Sequence, residues 1–163
     1  MLEHLNDILE NTQITASTAA VRLAISFVLG AIIGVERQFR RRDAGMRTFT
    51  LICMGSAAAM LISIWIPQTY PNFLNGDPGR ILTGIGFLGA GAIIQSHGSV
   101  HGLTTAACIW VMAVVGLAAG AGMFLAASIT TAFTLFVLVS LERLERRMYL
   151  DGVNKILTIN CST

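Results

Sequence analysis

Arg22 interrupts an apolar run that extends from about Ser17 to Val35. If that run crosses a bilayer, a guanidinium inside it is costly even when it snorkels toward the interface, which makes Arg22 a candidate functional residue by default. The competing role is structural, with Arg22 reaching headgroups or pairing with Asp77. A functional cluster would need Asp77 and Arg80 to converge on it. A second constellation joins Glu36 to Arg47 and Thr48. Arg47 opens an apolar segment where the dipole of a helix disfavours a cation, and Glu36 is an acid at the same depth that would offset it. That predicts a Glu36–Arg47 pair, acting as a structural brace or as a gate or ligand contact.

Other chemistry is absent from the pattern. His97 and His101 share a short loop without nearby carboxylates, which is too little for a metal site. Cys53, Cys108 and Cys161 have no metal-type spacing and read as reduced thiols. Thr104, Thr105 and Ser56 have no base at a recognisable spacing, and the glycine-rich block Gly84 to Gly91 does not follow a strand as a phosphate loop would. These residues do not make an enzyme, and no cofactor is implied.

The elements that would position them are set by composition. Of 163 residues, 54% are apolar and 12% are charged. A soluble domain carries about twice that charge. Much of this surface must therefore face lipid. A spanning helix needs roughly 20 apolar residues, so five nearly exhaust the chain. The expected spans run from Ser17 to Val35, from Thr48 to Ile66 with a stop at Pro67, from Asp77-Pro78 to about Gln95, from Thr104 or Thr105 to about Ala119, and from Met123 to Leu141. Asp77 before Pro78 has the form of an N-cap followed by proline at the first helical position.

Ten of the eleven basic residues are arginine, and most fall in two clusters, Arg37 to Arg47 and Arg143 to Arg147. Five spans put both clusters on one side, so the positive-inside rule predicts the N-terminus outside and the C-terminus in the cytosol. The pattern suits membrane topology and not nucleic acid. Residues 1–16 form an extracytoplasmic segment, 17–147 a five-helix membrane domain, and 148–163 the start of a cytosolic domain or tail that is cut short. The alternation from Asp151 onward suits a first strand.

Small residues recur at helical spacing: Gly30 with Gly34, then Gly84, Gly86, Gly89 and Gly91, then Gly116 with Gly120. In lipid, where hydrophobicity does not drive helices together, such residues let backbones approach closely. Helix packing is the first expectation for all eight, and close approach of a ligand or a moving helix is the alternative for the block from Ile85 to Ala92.

Four blocks, taken in order, resemble the MgtC/SapB family of bacterial inner-membrane proteins: Gly30 to Gln38, Ala44 to Thr48, Gly84 to Gly91 (GIGFLGAG), and Gly102 to Ala107 with Trp110. The resemblance covers about Arg22 to Gly122. It implies a multi-pass inner-membrane protein with a five-span domain, often followed by a small cytosolic domain, and tied to growth under magnesium limitation and survival inside host cells. It also implies a regulatory role exerted on other membrane systems. Carried over by position, the candidate contact residues are Arg22, Glu36, Arg37, Arg47, Thr48, Asp77, Arg80, Thr104, Thr105 and Trp110. The rival function is a transporter or channel for an ion or small solute. Such a protein should bring charged groups to the membrane midplane, whereas the charges here gather near the two interfaces. The expected partners are the bilayer, a second copy in a dimer, and a larger membrane protein.

Overall fold

The computed structural model describes residues 14–70, 77–96 and 99–160, with side chains omitted for Pro78, 94–99 and 143–160. Its elements are α1 (Ala16–Phe39), α2 (Met46–Thr69), α3 (Pro78–Gly91), β1 (Ile94–Ser96), β2 (Ser99–His101), α4 (Leu103–Ala121) and α5 (Phe124–Asn160). Helices are the expected solution for apolar chain in lipid, because every backbone polar group is satisfied within the segment. Four of them, α1, α2, α4 and the Phe124–Glu142 part of α5, are long and apolar enough to cross a membrane.

The third expected span is shorter than the sequence suggested. Helix α3 has 14 residues, about 21 Å at 1.5 Å per residue, against a hydrocarbon core of about 30 Å. Residues expected to continue it to Gln95 instead form an antiparallel ribbon in which Ile94 faces His101 and Ser96 faces Ser99. The start of α3 follows the expected chemistry, since the Asp77 carboxylate accepts from the Gly79 amide at 2.8 Å.

Three further boundaries differ. Pro67 lies inside the last turn of α2 instead of stopping it, at the cost of one backbone hydrogen bond to the preceding turn. Helix α4 is capped by Gly102 in the left-handed region, not by Thr104 or Thr105. From Asp151 the chain continues α5 to Asn160 and forms no strand. A lone strand leaves both edges unpaired, whereas a helix satisfies its own backbone. Cys161 lies outside the described residues.

Helix α4 is the central element, packed against α2, α3, α5 and α1. The core around it is made by Ile33, Phe49, Cys53, Met112 and Val115. Large apolar side chains point outward elsewhere: Phe27, Leu51, Leu125 and Phe133 are exposed, and Phe87 is 81% exposed. That arrangement suits a hydrocarbon solvent.

Four of the expected glycines sit at close helix–helix contacts. A Cβ on Gly30 would stand 2.9 Å from the Thr50 Cα, one on Gly34 2.5 Å from the Met46 Cα, and one on Gly120 2.6 Å from the Ala57 carbonyl oxygen; one on Gly116 would overlap the Cys53 carbonyl oxygen. These are approaches of backbone to backbone, which only a residue without a side chain permits. The glycines of α3 differ. Gly84, Gly86 and Gly91 have nothing within 4 Å of a built Cβ, and Gly89 only approaches the Ala106 carbonyl oxygen at 3.5 Å.

Candidate functional site

The expected site residues divide between the two ends of α4. At its C-terminal end, α4 closes with Gly122 at φ +88, and the amides of Gly122 and Met123 bond the carbonyls of Ala119 (3.1 Å) and Ala118 (2.8 Å). This is a Schellman arrangement, which satisfies some of the carbonyls that a helix end leaves without partners. Arg22, only 4% exposed, supplies another partner by donating from Nη1 to the Gly120 carbonyl at 2.9 Å. A cation at a helix C-terminus is also favoured by the dipole. Asp77 and Arg80 do not join this group. Asp77 is engaged with its own helix, and no ion pair links Asp77 or Arg80 to Arg22 among the described residues.

The N-terminal end of α4 meets the arginine-rich loop. Arg37 on the last turns of α1 is 2% exposed and donates from Nη2 to the Thr105 hydroxyl at 2.8 Å. Its Nε has no hydrogen-bond partner. The expected Glu36–Arg47 pair is not formed. Glu36 instead pairs with Arg40 one turn along α1, because residues four apart on one helix are neighbours before any tertiary contact exists. Arg40 in turn reaches Glu142 of α5 at 2.6 Å, and Arg42 reaches the same carboxylate at 3.1 Å. The network therefore ties α1 and its loop to α5. Arg47 is exposed and makes no ion pair among the described residues.

Two cavities open at this end. One, of about 660 Å³, is walled by apolar Leu51, Phe87, Leu88 and Ile109, with Arg47 and Thr48 at its polar side. The other, of about 610 Å³, is polar and is walled by Arg41, Arg42, His101 and Thr104. Asp43 and Thr105 line both. Trp110 lies further along α4 and is exposed, so it joins neither. Thus Arg37, Arg47, Thr48, Thr104 and Thr105 gather at one end, while Arg22 stands at the other.

Arg40, Arg41, Arg42 and Glu142 were not singled out by sequence reasoning. The Glu36–Arg40 spacing was a usable signal, since an acid four residues before a base supports a helix. No local signal marked Glu142, which is distant in sequence. His97 lies outside the described residues, and no group of three or more His, Cys, Asp or Glu side chains able to hold a metal occurs among those described.

Comparison with known proteins places these features in context. The model of the MgtC family matches residues 23–147. The chain is 40% identical over 141 residues to protein SrpB of Synechococcus elongatus, covering 79% of this chain and 78% of that protein. It is 43% identical over 128 residues to protein MgtC of Brucella abortus, covering 75% of this chain but only 50% of the relative. It is also 37% identical over 145 residues to YhiD of Escherichia coli (strain K12), whose name proposes magnesium transport, covering 85% and 67%. The matched region thus spans about half the length of the Brucella relative. No solved structure matches the chain.

Proposed function

The chain belongs to the MgtC family, and from that premise we propose that it is a non-enzymatic regulator in the bacterial inner membrane, acting on other membrane proteins during adaptation to magnesium limitation and intracellular survival. The observation that carries this reading is the make-up of the bundle's middle. Between the buried arginines at the two ends of α4, the core consists of Cys53, Ala57, Met112 and Val115, with polar character limited to hydroxyls such as Ser26 and Ser56. A transport path would need charged or polar groups converging there, usually at an interrupted helix. Glycine contacts hold α1 to α2 and α2 to α4 along this middle, and the buried arginines stand at the ends.

In this reading the arginine-rich end faces the cytosol and the N-terminus lies outside, with α3 and the following ribbon completing a fifth crossing. In a background without native cysteines, Asp43→Cys is expected to be labelled only from the cytosol and Thr69→Cys only from outside. Labelling of both from one side would end the five-span arrangement. Gly84 and Gly91, seven residues apart on one face of α3 and with nothing within 4 Å of a built Cβ, support a second copy as one partner.

Transport is the second reading, favoured by the name of the Escherichia coli relative. Purified protein in liposomes loaded with a magnesium-sensitive dye is expected to give no flux above empty vesicles, while crosslinked native membranes yield a larger membrane protein. Saturable magnesium flux would replace the regulatory reading with the transport one.

A further inference from the structure

Arg37 is a buried cation without an ion-pair partner among the described residues. Its neighbour Glu36 is turned to Arg40, Glu142 is shared by Arg40 and Arg42, and no carboxylate lies within ion-pair distance of Arg37 among the described residues. Its guanidinium is hydrogen-bonded to one neutral hydroxyl, with Nε unpartnered. The dipole of α4 adds to the difficulty, because Thr105 belongs to the first turn, where the helix end carries positive partial charge. Burying an unpaired charge beside a like partial charge is costly. Both features are relieved by an anion.

The surroundings are built to receive one. No side chain caps α4, so the amides of its first turn remain available as donors. Because the Thr105 oxygen accepts from Arg37, its own hydroxyl proton is free to donate toward the cavities that Thr105 lines. Arg41, which has no carboxylate partner among the described residues, stands on the polar wall with its backbone held at φ +52. Asp43 opposes an anion, but Arg41 and Arg42 flank the same space. The apolar cavity meets the polar one at Thr105 and Asp43, so a phosphate carrying an acyl chain could place its head in one and its chain in the other.

We propose that the arginine-rich end of the bundle binds a phosphate group, as free phosphate or as the headgroup of an anionic lipid, on the first turn of α4 with Thr105 relaying the charge of Arg37. This site stands apart from the regulatory reading and would serve a regulator or a transporter equally.

The test uses the full chain in nanodiscs. In phosphatidylcholine discs, inorganic phosphate is titrated at constant ionic strength against chloride, reading thermal stability and phosphorus NMR. In a second arm, discs in phosphate-free buffer carry increasing phosphatidic acid. Saturable stabilisation in the first arm identifies free phosphate as the source, and stabilisation confined to the second identifies lipid. Arg41→Gln, at an exposed position, is expected to weaken binding about tenfold, as loss of one charge-assisted contact would. Thr105→Val should abolish binding and Thr105→Ser should retain it. If Thr105→Val does not fold, Arg41→Gln decides. The proposal is overturned if neither arm saturates, if chloride acts as phosphate does, or if Arg41→Gln binds like the parent.

Discussion

The two ends of α4 present the same residue type in opposite electrostatic settings. Arg22 and Arg37 both come from α1 and are both buried, fifteen residues and about 22 Å of helix apart. Arg22 meets a helix C-terminus and donates to the Gly120 carbonyl, where hydrogen bonding and the dipole act together. Arg37 meets a helix N-terminus, where its hydrogen bond among the described residues is to the Thr105 hydroxyl, so the dipole opposes its charge. One arginine completes the fold. The other carries a cost that the fold does not repay, and such local inconsistency is expected at functional positions.

The largest expected effect tests the scaffold that holds the two ends apart. Gly120→Leu would drive a side chain into the Ala57 backbone and is expected to lower stability by about 4 kcal/mol in reversible unfolding from detergent micelles. Gly86→Leu, at an open position of α3, should shift the same measurement by no more than about 0.5 kcal/mol. Equal losses would show that α3 is packed as tightly as α4.

The arginines follow. Arg22→Met removes a charge-assisted bond and leaves a helix-end carbonyl unsatisfied, for a loss of about 3 kcal/mol in the same assay. Arg37→Met discards an unpaired buried charge for an apolar stem of similar length. It is expected to cost about 1 kcal/mol or less without phosphate or anionic lipid. A larger loss for Arg37→Met than for Arg22→Met would reverse the comparison between the two ends.

The smallest expected effect concerns Glu36. A double-mutant cycle of Glu36→Gln with Arg40→Gln should return a coupling of about 0.5 kcal/mol, as for a partly exposed pair one helical turn apart. The matching cycle with Arg47→Gln should be additive. Coupling to Arg47 instead would restore the pairing expected from the sequence and take the acid away from Arg40.

How much of this was legible depends on how far apart the interacting residues lie. The Asp77-Pro78 start of α3 was readable because capping involves residues two apart. Glu36–Arg40 is equally local, whereas membrane depth alone points Glu36 to Arg47 and passes over the i, i+4 neighbour. The eight glycines looked alike in sequence, but packing separated them: Gly30, Gly34, Gly116 and Gly120 touch backbone, while Gly84, Gly86 and Gly91 face open space.

By itself the sequence determined that this is a membrane protein of helices with arginine gathered at particular loops. Hydropathy and charge patterning are properties of consecutive residues, and a bilayer responds to them segment by segment. Only the tertiary structure decided that Arg22 would cap a carbonyl 98 residues away, that Arg37 would be buried against the Thr105 hydroxyl at the start of α4, and that α3 would stop short and give way to a ribbon. Those outcomes depend on which backbones can approach which, a choice made by glycine contacts and helix ends that meet across the bundle, and no spacing along a single chain encodes that meeting.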